Sequence, residues 1–206
     1  MRLDESVQVA LASRLGYDVS MTQKTLGRGV SKAEWLEMAL SVLQQGNVAE
    51  ITIGGLAREL GISKSGFYWH FKNRDDLLAQ LLERWTYEVT EVITENEEIL
   101  ALDPRTRLQR SAEMILDRNL VRYEIGIRQW AMKDKNAARA VRAANRKRLD
   151  FLRQTFNELG FSGDDAEMRA MLFACYHTWE SSMFPEISRK RRRELIEKRI
   201  VLLTRD

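Results

Sequence analysis

From Ser31 onward, apolar residues recur every three or four positions, which is the spacing of one face of an α-helix. No stretch alternates between apolar and polar residues over enough positions to predict a strand. The pattern therefore predicts an all-α fold with nine main helices. Capping residues, glycines and prolines place these helices at about 31–45, 52–60, 63–71, 76–99, from 104, 122–133, 136–159, 164–184 and 188–203.

The most informative segment runs from Thr52 to Leu78, with the sequence TIGGLARELGISKSGFYWHFKNRDDLL. Its apolar residues are spaced to close a small core between two short helices, and Gly61 lies at the turn, where a positive φ is needed. These core residues are Leu56, Ala57, Leu60, Ile62, Phe67 and Phe71. The spacing predicts a helix-turn-helix, whose second helix enters the major groove of DNA. A helical hairpin whose aromatic residues only pack is the alternative interpretation.

Polar and aromatic residues on the predicted second helix fit a nucleic-acid surface. Small or basic side chains at its N-terminus let the backbone approach DNA, and large exposed aromatic side chains are costly to solvate without a partner. The start of the preceding helix offers N–H groups that suit a phosphate. The candidate DNA-binding residues are Thr52, Ser63, Lys64, Ser65, Gly66, Tyr68, Trp69, His70 and Lys72.

The run T-x-x-x-L-A-x-x-L-G-I-S-K-S-G-F-Y-W-H-F-K-N-R-D-D-L resembles the DNA-binding domain of the TetR/AcrR family of bacterial transcriptional regulators. The resemblance in sequence covers residues 31–82, and the family's nine-helix layout is similar to the predicted one over about 31–204. It implies that the helix at 63–71 contacts bases and phosphates and that Thr52 contacts a phosphate. It also implies a C-terminal domain that binds a ligand and forms a dimer.

On this basis the chain divides into an N-terminal extension at 1–30, a helix-turn-helix DNA-binding domain at 31–78, and a ligand-binding and dimerisation domain at 79–206. The extension is longer than in most of the family. Lys24, Arg28 and Lys32, in and after it, either form an arm into the minor groove or belong to a packed or unordered extra segment.

Two features of the DNA-binding segment depart from expectation. Gly54 and Gly55 lie inside the second helix, where each should cost about 1 kcal/mol relative to alanine. In addition, residues 31–85 carry six basic and seven acidic side chains. DNA binding therefore requires the positive groups to lie together on one face.

The helix predicted near 165–183 is apolar on two sides, which indicates that other helices cover it on both. One stripe, assigned to the core, holds Met168, Met171, Leu172, Cys175, Tyr176 and Trp179. The other is rich in small residues, and we interpret it as a dimer face that completes a four-helix bundle with the last helix. The residues assigned to this face are Ala166, Ala170, Phe173, Ala174, His177, Ser181, Leu195, Ile196, Ile200 and Leu203.

Asn145 and Arg148 lie on an otherwise apolar line of the helix at 136–159, so the cation needs a partner. Two partners are open: an internal acid such as Glu124 or Glu180, or an anionic ligand. Aromatic and Met-rich residues nearby offer pocket walls, with ordinary core packing as the alternative. The candidate ligand-binding residues are Tyr123, Ile127, Trp130, Asn145, Arg148, Met171, Cys175, Tyr176 and Trp179.

Composition changes this picture mainly by exclusion. The chain has 206 residues, of which 44% are hydrophobic and 31% charged, with a net charge of +3 that does not by itself indicate a nucleic-acid partner. A single cysteine excludes a disulfide framework and a cysteine zinc site. With two histidines and no catalytic motif, no metal, cofactor or enzymatic activity is expected. No apolar run approaches the roughly 20 residues of a membrane span, and no signal peptide is recognised, so we expect a cytoplasmic protein.

The sequence thus predicts a homodimeric, ligand-responsive transcriptional regulator. A repressor that binds a palindromic operator and is released by a small molecule is preferred over an activator. Its expected partners are a double-stranded DNA operator, a small-molecule effector of unknown identity and a second copy of the chain, but no membrane. The alternative is a helical small-molecule-binding protein or enzyme with a vestigial helix-turn-helix.

Overall fold

A computed structural model describes residues 29–45 and 47–205, and every regular segment within them is helical. The predicted all-α, nine-helix architecture is confirmed. The α-helices are α1 (Lys32–Gln45), α2 (Ile53–Glu59), α3 (Arg74–Thr86), α4 (Glu97–Leu100), α5 (Pro104–Asp117), α6 (Glu124–Ala131), α7 (Lys135–Glu158), α8 (Gly163–Met183) and α9 (Arg189–Leu203). Two 3₁₀ segments, Val48–Glu50 and Lys64–Trp69, flank α2. The predictions for Lys24, Arg28 and the rest of residues 1–28 lie outside the described residues.

Short polar side chains cap the helix starts. Ser31 and Glu34 form the predicted capping box: the Ser31 hydroxyl accepts from the Glu34 N–H at 3.3 Å, and the Glu34 carboxylate accepts from the Ser31 N–H at 2.7 Å. Asn73 Oδ1 accepts from the Asp76 N–H at 2.9 Å and so starts α3. Side chains also cap α2, α5, α7 and α9, at Thr52, Asp103, Asp134 and Ser188.

The long helix predicted from residue 76 to about 99 is interrupted. After α3 the chain continues through a π-helical turn, Tyr87–Glu91, and one α turn, Val92–Thr94. The Asn96 side chain then accepts from the Ile99 N–H at 3.0 Å and starts α4. A π turn holds an extra residue and is frequent at functional sites. Here it shifts the residues after Thr86 relative to the stripe that α3 buries.

The buried apolar residues form two clusters. The first joins α1, α2 and α3 to α6 and the beginning of α7, and the second joins α5, α8 and α9 to the rest of α7. Ala137, Val141 and Ala144 of α7 lie in the first cluster, and Leu152 and Phe156 in the second. The helix-turn-helix segment therefore shares its core with the start of the C-terminal body, and α7 connects that core to the other.

The helix-turn-helix segment and the body approach each other closely at Gly126. A Cβ atom at this position would lie 2.5 Å from the Leu43 carbonyl oxygen and 2.9 Å from Leu43 Cγ. Real Cβ atoms do not come so close to backbone. Only glycine therefore fits at this position unless the backbone shifts. The backbone of α6 lies directly against the backbone at the end of α1.

Helix α8 turns the face predicted for a dimer towards its own chain. Of the residues assigned to a dimer interface, seven are buried within one chain: Ala166, Ala170, Phe173 and His177 on α8, and Ile196, Ile200 and Leu203 on α9. Ala174 and Leu195 are half-buried, and Ser181 is exposed. The dimer-face assignment is therefore wrong for the buried residues. Small side chains line α8 because α7 packs closely against it.

The opposite stripe of α8, predicted to be core, is largely exposed. Met168, Met171, Leu172 and Cys175 all lie on the outside of the chain. On α9, Val201 and Leu202 are exposed as well. The core assignment of these α8 residues is wrong too, because the stripe predicted to be core is exposed and the stripe predicted to be the dimer face is buried. Among the described residues no helix is long and apolar enough to cross a lipid bilayer.

Candidate nucleic-acid interface and neighbouring cavity

The orientation of the 3₁₀ helix Lys64–Trp69 is fixed by one aromatic side chain. Phe67 is buried, with its ring 5.4 Å from the ring of Trp35 in an edge-to-face arrangement and 5.1 Å from that of Phe71. Gly61, at the preceding turn, has the expected positive φ of 68°. With Phe67 held inside, the neighbouring side chains of this short helix are directed outward.

Two large aromatic side chains project from this helix into solvent. Tyr68 is 62% exposed and Trp69 is 87% exposed. Lys64, Ser63, Ser65 and Lys72 are exposed around them, whereas Gly66 is half-buried. Exposed aromatic groups beside lysines form a surface suited to the sugars, bases and phosphates of DNA.

The two glycines of α2 have packing reasons. A Cβ atom on Gly54 would lie 3.0 Å from Lys64 Cε and 3.3 Å from Lys64 Nζ, so Gly54 leaves room for that lysine side chain. A Cβ atom on Gly55 would lie 2.9 Å from Thr52 Oγ1. This hydroxyl accepts from the Gly55 N–H at 3.0 Å. Thr52 is exposed at the predicted phosphate position, but its hydroxyl already serves as the cap of α2.

Three further predicted DNA-binding residues have internal contacts. The Ser63 hydroxyl lies 2.7 Å from the Ser65 hydroxyl and makes no cap. His70 is half-buried, and its Nε2 donates to the Val30 carbonyl oxygen at 2.8 Å. Val30 is buried in the first core cluster. Instead of facing DNA, His70 thus ties the chain before α1 to the helix-turn-helix.

The basic residues of this segment separate into two groups. Arg74 points inward, where its Nε donates to the Ile51 carbonyl oxygen at 2.6 Å. Arg84 pairs with acidic residues of α1 and the π turn. Lys32, Lys64 and Lys72 are exposed, and Lys32 Nζ lies 5.8 Å from the Phe71 ring centre. The exposed lysines thus lie on and around the aromatic helix, although the segment as a whole is not basic.

A cavity of about 50 Å³ lies in the C-terminal body, between the π turn, α5, α7 and α8. Its apolar lining comprises Val89, Ile93, Ile115, Leu120, Val121, Phe151, Leu152, Phe173 and Ala174. The polar groups on its wall belong to Thr90, Thr94, Ser111, Arg148, His177 and Thr178. Two of their buried atoms, Thr94 Oγ1 and His177 Nε2, have no hydrogen-bond partner among the described residues. An apolar lining with a few polar groups is the composition expected of a small-molecule site.

Of the predicted ligand-binding residues, only Arg148 lines this cavity. Tyr123, Ile127 and Trp130 are buried in the first core cluster. Met171 and Cys175 are exposed on the surface of the protein. Tyr176 and Trp179 are half-buried but do not line this cavity. The pocket wall predicted from the sequence is thus on the wrong stripe of α8. The wall contributed by Val89 to Thr94 escapes prediction, because the π turn that positions it leaves no mark in the apolar spacing.

Arg148 has an internal partner. Glu124, only 1% exposed, accepts from Arg148 Nη1 at 3.0 Å and from Arg128 Nη2 at 2.6 Å. Arg128 also donates to Asn145 Oδ1 at 3.0 Å. Burial raises the pKa of the Glu124 carboxyl group, but the guanidinium groups of Arg148 and Arg128 outweigh burial and hold that pKa below its ordinary value. Of the two partners that the sequence left open, the structure shows the internal acid.

Comparison with known proteins agrees with this geometry. Residues 36–81, which span α1 to α3, match the family described as bacterial regulatory proteins, tetR family. The predicted resemblance to the TetR/AcrR family is thus confirmed for this DNA-binding segment. The HTH-type transcriptional regulator AcrR of Shigella flexneri is 27% identical over 82 residues, covering 40% of this chain and 38% of that protein. The chain thus matches less than half the length of this curated relative.

Solved structures extend the likeness in fold beyond the DNA-binding segment. A transcriptional regulator from Rhodococcus has a TM-score of 0.66 at 16% identity, covering 84% of this chain and 96% of that one. FadR of Bacillus subtilis, solved with stearoyl-CoA, has a TM-score of 0.64 at 16% identity, covering 84% and 98%. A regulator from Pseudomonas aeruginosa covers 93% of this chain and 94% of its own, with a TM-score of 0.64 at 17% identity. At these identities the likeness shows the fold.

A polar network connects the helix-turn-helix to the cavity. Glu37 of α1 accepts from the Tyr123 hydroxyl at 2.7 Å, from Arg122 at 3.0 Å and from Arg84 at 3.1 Å. Burial and the bond to Glu37 raise the pKa of Tyr123 well above its ordinary value, so its hydroxyl stays a donor. Arg84 Nε also lies 2.8 Å from Glu88, next to the cavity residue Val89.

The same π turn meets the buried ion pair on its other side. Arg148 Nε donates to the Thr90 hydroxyl at 3.0 Å, and both residues line the cavity. Glu88 and Thr90 lie two positions apart in this turn, so it contacts Arg84 through one residue and Arg148 through the other. The π turn therefore links the cavity wall to Arg84, which is a partner of Glu37 in α1.

Proposed function

We propose that this protein is a DNA-binding transcriptional regulator that responds to a small-molecule effector and acts as a dimer in the cytoplasm. The observation that carries the proposal is the outward-facing pair Tyr68 and Trp69, flanked by Lys64 and Lys72, on a helix-turn-helix segment that matches the tetR family. Lysine contacts with phosphate would supply the affinity that does not depend on sequence. Side chains that reach base edges would supply specificity.

A second copy of the chain is the proposed partner of the exposed apolar face of α8 and α9, formed by Met168, Met171, Leu172, Cys175, Val201 and Leu202. Exposed apolar side chains in such numbers are typical of interaction sites. Packing α8 and α9 against their copies would make a four-helix bundle. A two-fold dimer would also present two 3₁₀ helices to the half-sites of a palindromic operator, which are about 34 Å apart.

The effector is proposed to enter the cavity beside the π turn and to act as an inducer that releases the protein from DNA. Support comes from the cavity's apolar lining with its two unpartnered polar atoms, and from FadR of Bacillus subtilis, a structural neighbour solved with stearoyl-CoA. A ligand shifts DNA affinity only by its differential affinity for two conformations. The π turn, bonded to Arg84 and Arg148, is the element we expect to differ between them.

The test is a salt titration of binding to DNA that flanks the protein's own gene and to random duplex DNA, for the wild type, Lys72→Ala and Trp69→Ala. Lys72→Ala should weaken binding to both duplexes about equally and lower the salt slope by roughly 1 for each phosphate that is no longer neutralised. Trp69→Ala should weaken binding to the flanking DNA. Lys133→Ala, an exposed lysine after α6, is the matched control. Wild-type binding by both Lys72→Ala and Trp69→Ala at every salt concentration would show that this surface does not contact DNA.

A further inference from the structure

A second cavity, of about 40 Å³, lies between α5, α8 and α9. Its inner wall carries His177, Glu180, Arg192 and Arg199, together with aliphatic side chains of α5 and α9. The exposed residues Asn119 and Ser181 lie on the same wall, so the cavity reaches the protein surface. Neither the DNA-binding surface nor the π-turn network uses these charged groups.

The charges around this second cavity do not balance. Glu180 is 8% exposed and Arg192 is 7% exposed, and the Arg199 side chain is almost as buried. Both arginines share the single carboxylate of Glu180, at 3.7 Å from Arg192 Nη1 and 3.9 Å from Arg199 Nη1. Hydrogen-bonded ion pairs are shorter, at about 2.7–2.9 Å. One Glu180 oxygen instead accepts from the Tyr176 hydroxyl.

His177 does not add to this positive charge. Burial, with a smaller effect from Arg199, holds the pKa of His177 well below its ordinary value, so the imidazole is neutral. Two guanidinium groups and one carboxylate thus leave one buried positive charge. Isolated buried charges are costly unless an opposite charge and hydrogen bonds compensate them. The excess corresponds to one monoanion.

Three buried nitrogen atoms on this wall also lack partners. Arg192 Nη1, Arg199 Nε and His177 Nε2 have no hydrogen-bond partner among the described residues. The rest of Arg192 is held in place, since it donates to the Ile187 and Phe184 carbonyl oxygens. Arg199 is stacked over the Tyr176 ring, 3.9 Å from its centre. Rigidly held donors around a cavity with an unmatched charge are the features of a preformed anion site.

We propose that this cavity binds the carboxylate group of the effector, whose apolar part occupies the cavity beside the π turn. The two cavities share Ile115, Val121 and His177 as walls, which places them side by side. A carboxylate, as a monoanion, matches the excess charge, whereas a phosphate dianion would leave a buried negative charge. The ligand class is thus a monocarboxylic acid with an apolar body. That the bound acid acts as the effector rests on the proposed function, whereas the existence of the carboxylate-binding site does not depend on it.

The two histidines of the chain provide a direct readout. Binding is followed on the full-length protein in chloride buffer, by calorimetry and by imidazole nitrogen NMR signals. The probes are a straight-chain carboxylate series from acetate to octanoate, 1-hexanol and inorganic phosphate. Hexanoate should bind, shift the His177 signals and leave those of His70, which is bonded to Val30, unchanged. Affinity should rise along the series, and 1-hexanol and phosphate should bind far more weakly.

The decisive variant is Arg199→Gln, which removes the excess charge but leaves Glu180 with Arg192. It should retain the wild-type fold by circular dichroism and bind hexanoate about tenfold or more weakly, the loss expected for a hydrogen-bonded charge. Arg191→Gln, an exposed arginine on the same helix, is the control and should bind as the wild type does. Equal affinity of Arg199→Gln and wild type, or equal binding of hexanoate and 1-hexanol, would overturn the proposal.

DNA binding separates the two proposals. Saturating hexanoate should lower the affinity for operator DNA in the wild type but not in Arg199→Gln. If hexanoate binds with the His177 shift and DNA affinity does not change, the site stands and its role as the effector site is wrong. If the protein binds no DNA with or without hexanoate, the proposed regulatory function fails while the carboxylate site is retained. If DNA binding is normal and hexanoate shifts neither histidine, the site is wrong.

Discussion

The helix-turn-helix and helix α8 are both rich in apolar residues, but their sequences constrain them very differently. In the helix-turn-helix, each residue type has one local role: Gly61 turns with positive φ, Phe67 packs inside, and Tyr68 and Trp69 stay outside. In α8, apolar residues occupy both sides, and the assignment of inner and outer stripes from the sequence is reversed. Apolar spacing identifies a buried face only when the opposite face is polar.

Close packing decides the orientation of α8. The stripe with Ala166, Ala170 and Ala174 faces the chain's own core because small side chains let α7 approach closely. Larger side chains such as Met171 and Leu172 are left on the outside. Small residues thus mark the nearest neighbouring helix, and within this protein that neighbour is in the same chain.

The largest effect is expected from placing a charge on each of the two faces of α8 in turn. Ala170→Glu places a carboxylate at a fully buried position. The penalty of several kcal/mol for such a charge is comparable with a typical total stability of about 5–15 kcal/mol, so the variant should unfold. Leu172→Glu, on the exposed face, should keep the thermal melting of a folded chain and sediment as a monomer. A folded Ala170→Glu protein that sediments as a monomer would restore the small-residue stripe as the dimer face.

A smaller effect is expected at Glu124, in the body. Glu124→Gln leaves Arg128 and Arg148 without their shared carboxylate, and breaking a buried pair in this way costs about 3–5 kcal/mol. Because the folded-state pKa of Glu124 is lowered, its contribution is present above the unfolded pKa of about 4.5 and is lost as the pH falls below it. Urea unfolding from pH 7 to pH 3 measures both effects.

The wild type should lose stability below pH 4.5, and Glu124→Gln should lose less over the same range because it has no carboxyl group to protonate. Glu167→Gln, at an exposed position of α8, is the control and should follow the wild type. An unfolding free energy of Glu124→Gln equal to that of the wild type at pH 7 would contradict the role of the ion pair.

The smallest changes in unfolding free energy are expected when alanine replaces a glycine, either Gly126 in the body or Gly54 in the helix-turn-helix. Gly126→Ala should lose about 1–3 kcal/mol of unfolding free energy, because the added methyl group meets the Leu43 backbone. Gly54→Ala should gain up to about 1 kcal/mol, since the new Cβ meets only the flexible end of Lys64. The Gly54 variant should nevertheless bind DNA less tightly, because Lys64 is displaced. Thermal melting that ranks the two variants in the opposite order would contradict both assignments.

The sequence predicts the elements better than the site because of the range over which each is determined. Helix starts depend on neighbours three residues away, as between Ser31 and Glu34, and are therefore predictable. The bond between Glu37 and Tyr123 joins residues that are 86 positions apart, and no local pattern reports it. No local sequence pattern indicates the π turn either, although this turn brings Thr90 to the cavity. Arg148 can be located because a cation on an apolar stripe is a local anomaly, although the sequence does not decide its partner.

The contact between Gly126 and Leu43 also has a mechanical consequence. Side chains yield to a push by changing rotamer, but a backbone resting on a carbonyl group has no such freedom. This contact therefore leaves α1 free to tilt relative to α6 but prevents the two helices from moving closer together. Glu124 lies two residues before Gly126, so we expect a rotation of α6 at the ion pair to change the tilt of α1, whose Trp35 contacts Phe67 of the helix that carries Trp69.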